Sequence, residues 1–361
     1  MEAPKTKVVL FLGAGFSVQS GYPSTKQLNE KLLDMPADSR DVRIEKFISI
    51  TIAKFWEKVF AWRRGMTQPS LEDHFTQIDM AMKSGHSLGP DYDSTKLHAV
   101  RKLTIHRILC LLRKPKGLPD DTAHELLVRL ARTFELTTIT TNWDTHVEWI
   151  LDATMPSIPF NYGGEEQGRE VEPEGDVSLL KLHGCVNMSY CDCCQQQTRL
   201  DYGSPQAAID YELLLDPCDF RLLGADAAVA DILKRNRLRE RLSECRVCGA
   251  QLSVPVLTFT YRKDLQKFRV VWDAAKTVLQ LADRWLFVGY SMPEADVEVR
   301  HLLKSTQLAR KDPAAPLIDA VLKADCDAGL RYQRFFGLPC EKVFQDGIAR
   351  WAKKPLDDYC R

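Results

Sequence analysis

The chain has 361 residues, 45% hydrophobic and 27% charged, an ordinary globular composition that excludes disorder as the main state and fits two domains or one large domain with an insert. Lys plus Arg and Asp plus Glu both number 49, so no global field draws the chain to nucleic acid or an anionic membrane, and any such contact must be local. No apolar run reaches the roughly 18 residues of a membrane helix, the N-terminus lacks a signal-peptide layout, and 11 cysteines, an odd number, favour thiols or metal ligands in a reducing, cytoplasmic compartment over disulfides.

Lys7 to Leu12 (KVVLFL) reads as a fully buried strand that runs into Gly13-Ala14-Gly15-Phe16-Ser17. A helix is expected from Ser24, with Leu28, Leu32 and Leu33 on one face. Residues 41 to 132 read as mostly helical. Ile44, Phe47, Ile48, Ile52 and Phe55 recur at helical spacing, Ser70 can cap LEDHFTQIDMAM, and further helices run through Leu103–Leu112 and Ala123–Leu130. Glu135 to Thr140 is a strand, followed by Asn142 and a helix ending near Leu151; Ser178 to Leu182 is a strand leading to His183-Gly184. From Val254 the alternation resumes: VPVLTFT as a strand, Leu265–Ala282 as a helix, RWLFV (284–288) as a strand, Glu294–Leu308 as a helix and Pro316–Val321 as a weaker strand. This order predicts an α/β protein with a doubly wound, Rossmann-like parallel sheet.

Chemistry-bearing residues fall at the strand ends. Gly13 and Gly15 permit a tight turn and close approach of a phosphate, although GAG turns also serve packing alone, and no third glycine or Gly-Lys-Ser/Thr follows. Thr141-Asn142-Trp143-Asp144 sits past the second strand, where open α/β sheets bind ligands; Asn142 would hold a ligand or merely cap the next helix. His183 can act as a general base or remain a structural imidazole, whereas His74 and His146 are read as structural. Gly289-Tyr290-Ser291 forms a further strand-to-helix turn. Cys191 with Cys194, and Cys245 with Cys248, are C-x-x-C pairs separated by 50 residues. Together they can supply four thiolates to a closed structural zinc site, with Cys193 as a substitute for either neighbour. The basic run Lys234–Arg241 reads as a solvated helix face.

The ordered series GAGFSVQSGYPS, TTNWD, KLHG, two cysteine pairs and GYSMPEAD resembles the sirtuin family from about residue 7 to Gly337. The resemblance implies an NAD-binding domain over 1–184 and 255–340 with a helical insertion at about 25–132. It also implies a zinc module over 185–254 and leaves 341–361 as a C-terminal tail. By position, Gly13, Ala14, Gly15 and Ser17 would line the dinucleotide phosphates, Asn142 and Asp144 the nicotinamide and its ribose, and Gly289 and Ser291 the far phosphate and adenosine ribose. His183 would be the catalytic base, with Asn142 placing the water or the carboxamide.

Protein-deacylating members carry Asp-Phe-Arg where Ser24-Thr25-Lys26 stand and Gln where Thr141 stands; their peptide-clamping stretch is not evident near Val256–Thr260. The chain therefore looks like the prokaryotic, NAD-hydrolysing members of antiviral defence, whose acidic helix Ser70–Phe75 also resembles. That resemblance implies NAD as substrate, zinc as a structural metal, a homo-oligomer and an ATPase or translocase partner. A protein deacylase and a non-catalytic ADP-ribose-binding module are the alternatives.

Overall fold

A computed structural model describes residues 5–35, 41–112, 121–154, 160–161, 177–186, 188–191, 193, 197–199, 215–229, 231, 245, 248–250, 252–253, 259–261, 263, 265–310, 316–323 and 326–353. The main sheet contains β1 (Lys7–Leu12), β2 (Glu135–Thr140), β3 (Phe160–Asn161), β4 (Val177–Lys181), β8 (Arg284–Val288), β9 (Leu317–Val321) and β10 (Val343–Phe344). A small antiparallel sheet contains β5 (Met188–Cys191), β6 (Gln197–Arg199) and β7 (Leu252–Ser253). The helices are α1 (Ala14–Val18), α2 (Thr25–Lys31), α3 (Val42–Phe60), α4 (Leu71–Ser84), α5 (Ser94–Leu111) and α6 (Asp121–Thr133). They continue with α7 (His146–Thr154), α8 (Pro217–Leu222), α9 (Arg269–Leu281), α10 (Val297–Ala309), α11 (Cys326–Phe336) and α12 (Ile348–Trp351).

Every pairing in the main sheet is parallel, and the order is β10-β9-β8-β1-β2-β4-β3. Edge strand β3 aside, the chain winds outward from β1 through β2 and β4 on one side, then through β8, β9 and β10 on the other. This is the doubly wound Rossmann-like order, with its topological switch at β1. The alternation within β1 shows why both faces must be covered. Val9 and Phe11 enter the core beneath α9, α10 and α11, whereas Val8, Leu10 and Leu12 enter the core beneath α6, α7 and α12.

A third core belongs to the helical layer. Ile44, Ile48, Ile52 and Phe55 of α3 meet Leu71, Phe75 and Ile78 of α4 and Leu97, Val100, Leu103 and Ile108 of α5. Ser70 caps α4 by accepting from the Asp73 amide at 3.0 Å, and Ser24 forms a full capping box with Gln27 on α2. Both helix starts lie where the sequence places them. His74 is fully buried as a structural imidazole. Trp56 Nε1 donates to its Nδ1 at 2.9 Å, its Nε2 lies 3.1 Å from Thr104 Oγ1, and burial pushes its pKa down to about 3.

The fold divides the chain differently from the sequence reading in three places. α6 packs with the sheet core rather than the helical layer, because its apolar face supplies Ala123, Leu126, Leu127 and Leu130 to the β1–β2 crossover. Residues 215–229, expected within the cysteine module, join the helical layer instead: Phe220 stacks on Phe47 at 5.1 Å and Asp219 pairs with Lys102 at 3.0 Å. Residues 343–351, expected as part of a tail, supply edge strand β10 and helix α12, with Ile348 and Trp351 buried. Most of the expected strand at 254–260 lies outside the described residues; Phe259 and Thr260 are described and are not in a strand. The basic run 234–241 also lies outside them. Among the described residues no helix is long and apolar enough to cross a membrane.

Candidate active site

The carboxyl ends of β1, β2, β4, β8 and β9 surround a cavity of about 440 Å³, closed on one side by the helical layer. Ala14, Gly15, Asn142, Asp144, His183, Gly289 and Ser291 all line it, although they are spread over more than half of the chain. Gly13 and Ser17 do not; they lie behind its wall.

The glycines are fixed by close packing between the turn after β1 and the turn after β8. A Cβ on Gly13 would lie 2.5 Å from Tyr290 Cα, and one on Gly15 would lie 2.8 Å from Gly289 Cα. The Gly13 amide donates to the Val288 carbonyl at 3.1 Å and the Gly15 amide to the Gly289 carbonyl at 2.9 Å. Those two amides are therefore committed within the protein, and the turn's first role is to let two loops touch. Gly289 is the most constrained, with φ +66° and a would-be Cβ 2.3 Å from the Phe16 nitrogen. Gly289→Ala should lower stability by at least the ~1–3 kcal/mol of an overpacked core, read as a lower urea midpoint. Gly85→Ala is the control: φ is +65° but the space is open, so only the left-handed backbone penalty of about 1–2 kcal/mol is expected.

Asn142 does not cap α7. The side chain that meets the start of α7 is Asp144, just before the cap position, whose Oδ1 accepts from the His146 amide at 3.0 Å. Asn142 instead uses its Nδ2 to reach the Gly13 carbonyl at 3.0 Å and Ser17 Oγ at 3.2 Å. Ser17 Oγ in turn donates to Asp144 Oδ1 at 3.2 Å. Asn142, Ser17 and Asp144 thus form one chain joining the turns after β1 and β2. Below it, buried Lys181 donates to the Asp144 carbonyl and to Glu148 Oε1 at 2.8 Å, and the Cys185 thiol donates to the same Glu148 oxygen at 3.3 Å. Burial raises the Asp144 carboxyl, with Lys181 opposing. His146, read as structural, contacts Ser20 Oγ at 2.9 Å and packs between Phe16 and Tyr22.

His183 follows β4, where Gly184 at φ +79° turns the chain and Trp272 Nε1 anchors the Leu182 carbonyl at 2.9 Å. His183 is 6% exposed, and its Nε2 makes no hydrogen bond among the described residues. Burial pushes its pKa down to about 4; Asp296 acts upward against that, and Lys263 acts downward. The side chain is thus a neutral imidazole at pH 7 in the wall of a cavity, which is the state a general base requires.

Several lining residues carried no readable role in the sequence. Asp296 closes the GYSMPEAD stretch, Lys263 comes from a segment without periodicity, and Glu72 reaches in from the first turn of α4. Burial raises the Glu72 carboxyl, and Asp296 and Asp73 add to the effect.

For the cysteine pairs, Cys194 lies outside the described residues and only the backbone of Cys191 is described. The register of the small sheet sets Cys191 opposite Leu252, shortly after the second pair. The second pair forms a tight turn in which the Gly249 amide donates to the Cys245 carbonyl at 2.9 Å and the Cys245 amide to the Ala250 carbonyl at 2.7 Å. Gly249 has φ +73°. This backbone sets Cys191 and the turn bearing Cys245 and Cys248 beside the same small sheet.

A different trio, Glu45, His106 and Cys110, also offers metal-ligand atoms within 4.8 Å of one another. It is a charge network within the helical layer. Arg107 Nη2 lies 2.9 Å from Glu45 Oε2, so a cation is already supplied. Burial alone would lower His106, but the Cys110 thiol and the Glu45 carboxylate hold it up, to about 10.

No family model matches the chain, and no curated protein matches it. Solved Sir2 structures are similar to it at low identity. Sir2 in complex with the inhibitor EX-527, 2'-O-acetyl-ADP-ribose and deacetylated p53 peptide shares 12% identity over 98% of this chain and 94% of that one, with a TM-score of 0.40. Sir2 bound to acetylated peptide shares 12% over 99% and 94%, at 0.41. Sir2 with p53 peptide and NAD+ shares 14% over 99% and 94%, at 0.37. At these TM-scores the likeness is loose, and the fold assignment stands on the strand order and register.

Proposed function

We propose that the chain is an NAD hydrolase that cleaves the bond between nicotinamide and ribose, releasing nicotinamide and ADP-ribose. The observation that carries this reading is the meeting of His183, Asn142 and Asp144 in one cavity at the switch point of the sheet, with His183 held neutral and its Nε2 without a hydrogen-bond partner among the described residues. The site is where a doubly wound sheet binds a dinucleotide. The motif order, which resembles NAD-using sirtuins, supplies the substrate class.

In the reaction, the bond between ribose C1' and the pyridinium nitrogen breaks with its electron pair going to nicotinamide, which leaves neutral. Water attacks the oxocarbenium-like C1', and its proton passes to His183. Asn142, tied to the turn after β1, orients the water or the carboxamide. Asp144 sits where a carboxylate can accept from ribose hydroxyls and stabilise the developing positive charge. The glycine turns close the cavity wall by packing, and Gly289 and Ser291 bound it on the β8 side.

The four thiolates of Cys191, Cys194, Cys245 and Cys248 would hold a structural zinc. A closed tetrahedral site has no open position for a reactant, so the metal's contribution is to fold the segment that carries it. Prokaryotic antiviral defence, a homo-oligomeric state and an ATPase or translocase partner are part of the same proposal and rest on the motif resemblance alone.

The test is purified protein with NAD, with and without acyl-lysine peptides, reading nicotinamide. Nicotinamide release without peptide, unchanged by peptide, is the expected result. Release that requires an acylated peptide and yields O-acyl-ADP-ribose would establish the deacylase instead, and binding of ADP-ribose without nicotinamide release would establish the non-catalytic module.

A further inference from the structure

Asp296 occupies the N-cap position of α10, where an aspartate ordinarily accepts from the first helical amides, yet its carboxylate makes no capping bond. It is turned into the cavity wall. Oδ2 accepts from the Tyr290 hydroxyl at 3.1 Å, and Oδ1 lies 3.0 Å from Lys263 Nζ and 3.9 Å from His183 Nε2. Lys263 is itself buried, and it is held by the Ala295 carbonyl at 2.8 Å and the Thr260 carbonyl at 3.4 Å. The Lys263 amide donates to Glu298 Oε1 at 2.9 Å, so the stretch bearing the lysine is fastened both to α10 and to the residue before its N-cap. The next segment back is fastened to the helical layer, where Thr76 Oγ1 accepts from the Tyr261 amide at 3.0 Å.

We propose that Asp296 is the positioning carboxylate of His183 and that Lys263 is the counter-cation that keeps it in place and balances its charge. The inference rests on the reading of His183 as the base. An imidazole that takes a proton becomes a cation, and a carboxylate 3.9 Å from it stabilises that cation through space. An uncompensated carboxylate so close would draw the imidazole's titration upward, against the effect of its burial. Lys263 opposes that pull and acts with burial to keep the ring neutral. The other charged groups near this cluster are Glu298 from α10 and Glu72 from α4, the latter within electrostatic reach of both Asp296 and Lys263.

The pair makes a prediction of opposite signs. Lys263→Met leaves Asp296 unbalanced against His183, so the protonation midpoint of His183 should rise. Asp296→Asn leaves Lys263 unbalanced, so the midpoint should fall further; the double variant should return towards the parent. The probe is the His183 imidazole itself, titrated by NMR in the full-length protein and assigned by its loss in His183→Ala. In the NADase assay Asp296→Asn should lower kcat about tenfold or more, a fraction of what a positioned base supplies, with KM little changed. Asp296→Glu should recover part of it.

Midpoints that move in the same direction or not at all in folded variants overturn the pair, as does a parental kcat in Asp296→Asn. A fall in kcat that tracks the melting temperature across the variants also overturns it. Opposite midpoint shifts in a protein that releases no nicotinamide uphold the pairing and reject the hydrolase reading. Nicotinamide release with an unmoved titration does the reverse.

Discussion

His183→Ala should lower nicotinamide release by about 10²–10⁴, the usual contribution of a positioned general base, with little change in melting temperature and with NAD still bound. The side chain can be removed cleanly because its Nε2 holds nothing else in place among the described residues. Asn142→Ala is expected to behave differently. It also loses two hydrogen bonds that tie the turn after β2 to Gly13 and Ser17, each worth about 0.5–1.5 kcal/mol, so activity and stability should fall together. Full hydrolysis by a folded His183→Ala protein would remove His183 from the mechanism.

The pH profile follows from the same residue. With the imidazole held down to about 4, activity limited by this base should stay level as the pH falls through 6.5 and decline only near 4. An acid limb centred near 6.5 would mean a different base. Stability moves on its own schedule. His183, near 4, and His74, near 3, both lie below the unfolded value of about 6.5. Below pH 6.5 the unfolded chain therefore binds more protons, and each histidine should cost about 1.4 kcal/mol per pH unit as the pH falls towards its folded value. His106, held up to about 10, has the opposite sign: its contribution is complete below 6.5 and is lost as the pH rises through 10.

Loss of the proposed zinc should have the largest effect on folding. A structural zinc site is worth about 10–16 kcal/mol in isolated peptides, comparable to the roughly 5–15 kcal/mol of an entire domain. Cys245→Ser or strong chelation should therefore unfold the small sheet formed by β5, β6 and β7. Residues 215–229 should persist, because Phe220 and Asp219 are held by the helical layer rather than by the cysteines. Proteolysis before and after chelation would map this boundary, with new cleavage expected near 188–199 and 245–253 and protection retained at 215–229. Carefully purified protein with no zinc by elemental analysis would refute the site.

The local pattern determined much of this protein. The buried runs KVVLFL and RWLFV, the serine caps at 24 and 70 and the i, i+4 apolar faces of α3 and α4 are set by neighbours in sequence, and they stand in the structure where propensity and periodicity put them. The strand ends that carry Asn142 and His183 were legible for the same reason. Only the tertiary structure decided what those strand ends do to one another.

The roles of Gly13 and Gly289 come from a contact between loops more than 270 positions apart, and no local signal distinguishes a glycine needed for packing from one needed for a phosphate. Whether Asn142 held a ligand or capped the next helix was open in the sequence, because nothing local shows that its amide reaches Gly13 and Ser17 while Asp144 meets the start of α7. Residues 343–351 looked like a tail because a two-residue edge strand is too short to show a period. Lys263 and Asp296 were unreadable as a pair because a buried charge is tolerated only opposite its partner. That partner is supplied by the fold: α9 and β8 separate Lys263 from Asp296 in sequence, and Asp296 faces His183 only when β4 and α10 are brought to the same end of the sheet.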